Sequence, residues 1–356
     1  MKKFLSVALS ALILAFGTVF FAACNIDPDD PNDQHGDNPG GTEEPVVADI
    51  YAPDGAPALA LAQLMSEEMQ FGGDVTYNVV DASTIQTFVT GREPQAELAI
   101  LPVNLAAKLL GTGETYQMLG TVTHGNLYIL AKTGDTQITQ ANIKEMFEGK
   151  KVGCLQLNNF VGYILRTVLN NAGVKFEVRQ DKEESNGTMD TAYLYDVTGT
   201  EITPAADYDL MIAAEPAVHK KTTATSLKVV GDLQALYGEN GYPQAVLVAK
   251  KTLIEESPDF IGNFVKAVDA NAEWIKTADA QTIYDAVQEN YGATPTFAVT
   301  DLTAEVIARC AIRFEASVEC AQSVKTILAE LSEAADQAFT VTDAFFYGLE
   351  EDLTQS

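Results

Sequence analysis

Short apolar runs alternate with helical patterns along this chain from residue 48 onward, and this alternation limits most strongly which folds the chain can form. The first three runs, interpreted as strands, are ADIYAP (48–53), DVTYNVV (74–80) and AELAILP (96–102). The helical segments that follow them are 57–70, 82–90 and 103–110. This order predicts a mostly parallel sheet with helices on both faces.

A second set of the same units follows in the middle of the chain. Its predicted strands are LYILAK (127–132), KVGCLQ (151–156), VKFEV (174–178), YDLMIAA (208–214) and SLKVVGD (226–232), and AVLVAKK (245–251) is a return strand. Residues 179–207 are polar and show no clear period, and the pattern from Pro258 onward is almost entirely helical. The helical tail must pack on one of the two sets.

Two lobes account for this order better than one, because about 300 residues follow position 47. We therefore predict an α/β fold of two lobes with a ligand cleft between them. The first lobe comprises residues 48–126 and 245–356, and the second comprises residues 127–244. The two crossing segments, near Gly125–Leu127 and Gln244–Ala245, are the expected hinge.

The first 24 residues are interpreted as an export signal. Met1-Lys2-Lys3 is positively charged, and residues 4–23 carry no charge before Cys24. The stretch resembles the lipobox of bacterial lipoproteins, with Phe21 where an aliphatic residue is usual, and this implies cleavage before Cys24 and its acylation. A retained membrane helix is the alternative, since about 20 uncharged residues span a bilayer. Both interpretations place the rest of the chain outside the cytoplasm.

Residues 25–47 have the composition of a tether. They contain seven acidic residues, four prolines and three glycines, and neither lysine nor arginine. Such a segment cannot bury enough apolar surface to offset its loss of conformational entropy, so we expect it to be disordered. The whole chain has 50 acidic and 22 basic residues, a formal net charge of −28. This balance argues against nucleic acid as a partner.

Compact turns at the predicted strand ends are the candidate ligand-binding positions. In open α/β sheets, ligands bind beyond the carboxyl ends of strands, where helix starts expose backbone N–H groups. The candidates in the first lobe are Asp54, Gly55, Ala56, Ser83, Pro102, Val103, Asn104, His124, Gly125 and Asn126. Those in the second lobe are Asn158, Asn159, Phe160, Glu215 and Tyr242. Gly55 and Ala56 would let a ligand approach the backbone; a turn that merely starts a helix is the alternative.

Some of these positions allow other interpretations. His124 is a hinge residue, a ligand contact or a catalytic base, and Tyr242 either contacts ligand or caps its loop. Glu215 and His219 are four residues apart and could share a helix face as metal ligands, but the sequence offers no third ligand. The chain has no nucleophile elbow, HExxH zinc motif or phosphate loop, so we expect neither catalysis nor a cofactor.

Three cysteines follow Cys24, namely Cys154, Cys310 and Cys320. Their number and spacing fit neither a zinc site nor a disulfide framework, so we interpret them as buried thiols. A Cys310–Cys320 disulfide requires the chain to turn between the two residues, because ten residues of one helix would separate them by about 15 Å.

Several phrases resemble the solute-binding proteins of bacterial ABC importers, in the branch of nitrate, sulfonate, taurine and thiamine-pyrimidine binders. In chain order they are APDGAPALALAQLM, GREPQAELAILPVNLAAKLL, LGTVTHGNLYILAK, EGKKVGCLQLNNFVGYILRTVLNNAGV, YDLMIAAEPAV and YPQAVLVAKKTLIEESPDFIGNFVKAVDANAEWI. They span roughly residues 48–276, and their shared order is more specific than any single phrase. Residues 179–207 match least.

The resemblance implies a periplasmic-binding-protein type II fold whose lobes close on a small organic solute or small anion and deliver it to an ABC permease. It also implies an extracytoplasmic, lipid-anchored monomer that catalyses no reaction. Two other functions stay open: a sensor that presents its ligand to a membrane receptor, and an enzyme like a more distantly similar pyrimidine-synthesis protein. The five arginines lie outside the candidate turns. We therefore expect helix starts and neutral amides to dominate the cleft, which favours a neutral or zwitterionic solute.

Overall fold

The computed structural model describes residues 45–181 and 188–349. The strands in this part of the chain are β1 (Val47–Pro53), β2 (Asp74–Val80), β3 (Leu98–Pro102), β4 (Tyr116–Thr123), β5 (Leu127–Ala131), β6 (Lys151–Leu155), β7 (Lys175–Arg179), β8 (Thr191–Val197), β9 (Leu210–Ala214), β10 (Lys228–Asp232), β11 (Ala245–Lys250) and β12 (Ile312–Ala316). The predicted signal segment with Cys24, and residues 25–44 of the predicted tether, lie outside the described residues.

The helices complete the element order. They are α1 (Ala56–Leu59), α2 (Ala62–Ser66), α3 (Gln86–Val89), α4 (Val103–Leu110), α5 (Ile143–Phe147), α6 (Phe160–Asn171), α7 (Ala217–Ala224), α8 (Leu233–Tyr237), α9 (Lys251–Glu256), α10 (Pro258–Trp274), α11 (Ala280–Glu289), α12 (Ala304–Arg309) and α13 (Ser317–Ala335). Short 3₁₀ helices cover Gly199–Glu201, Val299–Asp301 and Asp343–Phe345. None of the helices in the described ranges is both long enough and apolar enough to cross a bilayer.

Two six-stranded sheets form the framework. The first has the strand order β12-β4-β11-β3-β1-β2, and the second has the order β10-β5-β9-β6-β8-β7. We call the part built on the first sheet the first lobe and the part built on the second sheet the second lobe. The chain leaves the first sheet after β4 and returns to it at β11, so it crosses between the sheets twice. The predicted two-lobed α/β fold is confirmed.

Both sheets are mixed. In the first sheet β1 pairs in parallel with β2 and β3, but β11 runs antiparallel to β3 and β4, and β12 antiparallel to β4. In the second sheet β6 to β9 form the parallel part, while β5 and β10 are antiparallel to their neighbours. The prediction of a mostly parallel sheet is wrong, because the strands that carry the chain between lobes run against their neighbours.

Three strands were not expected from the sequence. Seven of the eight residues in β4 are buried, so its apolar and polar residues do not alternate. β8 lies in the segment without clear period and is inserted between β6 and β7. β12 is a five-residue edge strand inside the region predicted to be entirely helical. In each case the neighbouring strands, and not a local pattern, provide the stabilising contacts.

The helix predicted over residues 57–70 is broken into α1 and α2. The side chain of Asn271, on α10, lies at the break and is fully buried. Its Nδ2 donates to the carbonyl of Leu59 at 3.1 Å, and its Oδ1 accepts from the backbone N–H of Gln63 at 2.8 Å. Asn271 thus satisfies backbone groups that an unbroken helix would pair internally.

A continuous apolar core joins the lobes on one side of the crossing segments. It includes Met118 and Val246 of the first sheet, Leu194 and Ile212 of the second, and apolar residues of α6 and α13. Arg166, on α6, donates from Nη1 to the carbonyl of Ala334, on α13, at 3.2 Å. The last long helix therefore packs on both lobes.

The three cysteines of the described chain are buried and unbridged. Cys310 follows α12 and Cys320 lies on α13, with β12 between them. Burial raises the pKa of the Cys320 thiol to about 11, and it also raises the pKa values of Cys154 and Cys310. The interpretation as buried thiols is confirmed, and the Cys310–Cys320 bridge is not formed.

Candidate functional site

The candidate turns of the first lobe lie along one edge of the first sheet. β1, β2 and β3 are parallel, so their carboxyl ends at Pro53, Val80 and Pro102 face the same way. The antiparallel strand β11 begins beside the end of β3, with Ala245 opposite Pro102. The edge therefore carries the turns that contain Asp54, Ser83 and Asn104.

The second sheet presents a corresponding edge. β6 and β9 are parallel and end at Leu155 and Ala214, and β5 begins opposite Ala214. The turn of residues 156–160 therefore follows β6, Glu215 follows β9, and Asn126 precedes β5. The crossing segment between β4 and β5 connects the first sheet to this edge of the second sheet.

A chain of hydrogen bonds links the two edges at the crossing segments, and Gln244 lies at its centre. Gln244 accepts at its carbonyl from Val103 N–H (2.9 Å) and donates its own N–H to the carbonyl of Thr123 (3.0 Å). Its side-chain Nε2 donates to Asn126 Oδ1 at 2.8 Å. Asn126 Nδ2 in turn donates to the Glu215 carbonyl at 3.0 Å, and Glu215 N–H donates to the Asn126 carbonyl at 2.9 Å. We call Val103, Asn104, Thr123, Asn126 and Gln244 the cleft floor.

The cleft floor has buried polar atoms without protein partners. Asn104 Oδ1, Gln244 Oε1 and Thr123 Oγ1 are inaccessible to solvent and have no hydrogen-bond partner among the described residues. Asn104 is 5 % exposed and lies in the first turn of α4, whose cap has no side-chain hydrogen bond. An unpaired buried polar group costs about 1–3 kcal/mol. Each of the three atoms therefore lacks a partner that would offset this cost. Gln244 and Thr123 were not among the sequence candidates.

The Asp54 turn is fixed by the side chain of Asp54. Gly55 has φ +100°, and a Cβ built on it would meet no atom within 4 Å. Asp54 Oδ1 accepts from Gly55 N–H at 2.9 Å, and Oδ2 accepts from Thr296 N–H at 2.8 Å. Burial raises the pKa of Asp54, while the bonds from Thr296 and Gly55 oppose the shift. The carboxylate thus holds the turn in place, and the turn residues Gly55 and Ala56 are both buried.

Ser83 is exposed and bonded locally. Its N–H and hydroxyl donate to Asp81 Oδ1 at 2.8 and 2.5 Å. These bonds lower the pKa of Asp81. The described contacts connect Ser83 to its own turn and not to the cleft floor.

The turn before α6 is fixed by its own side chains. Asn159 Oδ1 accepts from Phe160 N–H at 2.8 Å and so caps the helix, while Asn158 Oδ1 accepts from Arg166 Nη2 at 2.9 Å. Both asparagines are exposed. The Phe160 ring packs against Tyr242, with ring centroids 6.1 Å apart. Tyr242 is fully buried and donates to Gln234 Oε1 at 3.1 Å, so packing accounts for this side chain.

His124 is held within the first lobe. Its Nε2 lies 2.8 Å from Thr121 Oγ1 and 3.1 Å from Glu315 Oε2. Burial, and secondly the positive charge of Arg313, lower the pKa of His124 to about 3. The Glu315 carboxylate favours the charged ring, but its side chain is 35 % exposed, so ring burial weighs more. A neutral, buried ring is a poor general base, and the geometry fits the hinge interpretation best. The adjacent Gly125 has φ +116° and abuts Gln234.

Glu215 lies at the end of β9 with its side chain fully buried. Oε2 accepts from His219 N–H at 2.9 Å, and Oε1 lies 3.4 Å from Arg309 Nη1. Burial raises the pKa of Glu215, whereas the bond from His219 and the charge of Arg309 oppose the shift. Arg309 is distant in sequence and was not expected here. The described residues contain no group of three acidic, cysteine or histidine side chains that could hold a metal ion.

Known structures share this architecture. No family model matches the chain, and no curated protein matches it in sequence. An ABC transporter structure from Parabacteroides distasonis aligns with a TM-score of 0.64 at 19 % identity, over 84 % of this chain and 98 % of that one. The periplasmic aliphatic sulphonate binding protein SsuA from Escherichia coli aligns with a TM-score of 0.54 at 15 % identity, over 82 % and 86 %.

The alkanesulfonate-binding protein SsuA from Xanthomonas axonopodis pv. citri, bound to MOPS, also aligns with a TM-score of 0.54, at 12 % identity over 82 % and 94 % of the two chains. These matches cover both lobes and nearly the whole length of the compared proteins. The expected fold is thereby confirmed. The chain has the two-lobed periplasmic-binding-protein fold found in solute-binding proteins of ABC transporters.

Proposed function

We propose that this protein is the extracytoplasmic substrate-binding lipoprotein of an ABC importer. It captures a small solute between its lobes by hinge closure and delivers it to a membrane permease, and it acts as a monomer without a cofactor or a catalysed reaction. The fold supports this role, because the compared structures include proteins named as sulfonate binders.

The observation that carries the proposal is the set of unpaired polar atoms on the cleft floor. Asn104 Oδ1 and Gln244 Oε1 come from two neighbouring segments, one just after β3 and one just before β11. A solute that bonds both atoms satisfies groups that are otherwise buried without partners. To favour the closed form over the open one, the solute must also bond a group of the second lobe.

The proposed hinge lies in the two crossing segments, Gly125–Leu127 and Gln244–Ala245. The proposed lobe boundaries are residues 48–126 with 245–356, and residues 127–244. Only a few residues at element ends need to change conformation for such a closure. The positive φ of Gly125 (+116°) supports this placement, since a residue at this position must adopt a backbone conformation that other residues rarely occupy.

The proposed cargo is a neutral or zwitterionic organic solute that offers hydrogen-bond donors. The nearest arginines to the candidate turns already have protein partners: Arg309 bonds carboxylates, and Arg166 bonds the Asn158 amide and two carbonyls. The unpaired amide oxygens require donors from the solute. A fully anionic solute would have to rely on backbone N–H groups.

The proposed anchor is an acyl chain on Cys24, which would hold the protein on the outer face of the cell membrane. The lipobox-like sequence before Cys24 supports this assignment. Expression of wild type and Cys24→Ser, followed by detergent partitioning and intact mass, tests it. We expect only the wild type to enter the detergent phase with the mass of a lipid adduct.

Ligand screening tests the central proposal. Native mass spectrometry of the purified protein should detect a co-purified solute, and thermal shifts should then be measured with amino acids, thiamine-related pyrimidines, aliphatic sulfonates and nitrate. A true ligand at 100 times its Kd adds about 2.7 kcal/mol to the free energy of unfolding and raises the melting temperature. Absence of any bound solute, together with no shift at large excess, would overturn the proposal.

A further inference from the structure

Two arginines of the first lobe reach across to the second lobe from a single turn. Arg309 ends α12 and Arg313 lies in β12, the edge strand that pairs with β4. Arg309 Nη1 lies 3.4 Å from Glu215 Oε1, and Arg313 Nη2 donates to the carbonyl of Asn240 at 2.9 Å. Glu215 follows β9 and Asn240 follows α8, so both partners belong to the second lobe.

Tyr128, on β5, adds a third contact to the same turn. Its hydroxyl donates to the carbonyl of Arg309 at 3.2 Å, and the Arg309 guanidinium lies 5.5 Å from the centre of its ring. A cavity of about 250 Å³ adjoins these residues and is lined from both lobes. The lobes therefore meet here through individual polar side chains and not through close apolar packing.

The Glu215 carboxylate is out of reach of a solute in this arrangement. Its side chain is fully buried, with one oxygen bonded to His219 N–H and the other beside Arg309. Arg309 also binds Glu305 through Nη2 at 2.6 Å, which fixes the guanidinium between two carboxylates. Separation of the lobes at this point breaks the contacts of Arg309 and Arg313 with the second lobe, although it also lets water hydrate the Glu215 carboxylate.

We propose that Arg309 and Arg313, with Glu215 and Asn240, form an interlobe clasp that holds the lobes in the observed arrangement without ligand. Glu215 is then a positioning residue: it sets how often the lobes are closed and does not touch the solute. Lys220 makes a further contact between the lobes, since its Nζ donates to the carbonyl of Thr296 at 3.5 Å.

The clasp has a direct consequence for capture, which rests on the proposed function. The apparent Kd of a solute equals its intrinsic Kd divided by the fraction of protein in the binding-competent form. A clasp that raises the closed fraction raises apparent affinity without any contact to the solute. Loss of the clasp should weaken binding about tenfold or more while leaving the contacts of the cleft floor intact.

Double electron–electron resonance, a pulsed EPR method, measures the distance between two spin labels and tests the clasp without any ligand. We would label Gln86→Cys and Thr200→Cys, exposed positions on the two lobes, in the full chain carrying Cys24→Ser. The native cysteines of the described chain are buried and should not react. Wild-type protein should give a dominant short distance and a minor longer one, the open form that admits the solute. Arg309→Ala and Glu215→Gln should each enlarge the longer population, and Arg309→Lys should lie between.

Arg92→Ala is the matched control, because Arg92 is an exposed arginine of the same lobe. Circular dichroism identifies variants that fail to fold. If Arg309→Ala fails to fold, Arg313→Ala provides an independent test of the clasp, because Arg313 is its more exposed arginine. Folded Arg309→Ala and Arg313→Ala proteins with the wild-type distance distribution would overturn the clasp. That result is distinguishable from failure of the proposed function, because no solute enters the measurement.

Discussion

The side chain of Asn271 donates to the carbonyl of Leu59 at 3.1 Å, across 212 positions of sequence. The same amide accepts from Gln63 N–H at 2.8 Å, so one side chain of α10 pairs both backbone ends of the break between α1 and α2. This break follows the Asp54–Ala56 turn, one of the candidate binding turns. The position of the turn thus depends on a residue far away in the chain.

Replacement of Asn271 by leucine should lower the free energy of unfolding by about 2–6 kcal/mol. Leucine has nearly the same size but leaves the Leu59 carbonyl and the Gln63 N–H buried without partners, at about 1–3 kcal/mol each. Urea unfolding followed by tryptophan fluorescence measures the change. Asn263→Leu, at an exposed site on the same helix, should change stability by less than about 0.5 kcal/mol. Equal stability of the two variants would contradict this role.

Gly125→Ala should destabilise the protein more than Gly91→Ala does. Both glycines have positive φ, +116° and +104°, so an alanine at either has a backbone cost of about 1–2 kcal/mol. At Gly125 the new Cβ would also lie 1.9 Å from Gln234 Cγ, whereas at Gly91 it would meet no atom within 4 Å.

The displaced Gln234 would lose its bonds to Leu127 N–H and the Tyr242 hydroxyl. We therefore expect a further loss of about 1–3 kcal/mol at Gly125, measured by urea unfolding of both variants. If Gly125→Ala is no less stable than Gly91→Ala, the crossing segment accommodates the new Cβ without strain and the prediction is wrong.

Protonation of His124 should reduce stability in mild acid. The folded pKa of about 3 lies below the unfolded value of 6.5, so the unfolded state binds the proton first as the pH falls. The stability contributed by the neutral ring is therefore present above pH 6.5 and is lost between pH 6.5 and pH 3, with a slope of up to about 1.4 kcal/mol per pH unit.

Urea unfolding between about pH 7 and pH 5 should show this slope in the wild type, above the range in which most carboxylates titrate. His124→Gln should flatten it, and His219→Gln serves as the matched control. Parallel pH profiles of wild type and His124→Gln would contradict the assignment.

Asn104→Ala should weaken binding of the identified solute by about 1–3 kcal/mol, because the unpaired Oδ1 would lose its bond to the solute. Isothermal titration calorimetry measures the change, which corresponds to about a 5- to 150-fold higher Kd. Asn170→Ala, at an exposed position of α6, should bind like the wild type. Unchanged affinity in the Asn104 variant would remove this residue from the site.

Local patterns predicted those parts of the fold that depend on local sequence. The ends of β1, β2, β3, β6 and β9 lie at or within two residues of their predicted positions, because apolar runs and turn residues mark them directly. The candidate turns followed from the same signal. β12 and the break after Leu59 could not be predicted, since neighbours more than a hundred residues away stabilise them.

The cleft floor shows the same limit. Gln244 bonds Val103 and Asn126, which are separated from it by more than a hundred residues, and no local pattern distinguishes it from other glutamines. Arg309 reaches Glu215 only through the position of α12. Arg309 was missed because only arginines within the candidate turns were considered. Its charge is neutralised by the carboxylates of Glu215 and Glu305.

The apolar core shared by α6, α13 and both sheets also determines how the protein comes apart. If one lobe unfolded before the other, the apolar surface of this shared core would be exposed to water, at a cost of about 25 cal/mol per Å². Heat should consequently unfold the described domain in a single calorimetric transition. A hinge motion of the proposed kind would leave this shared core intact.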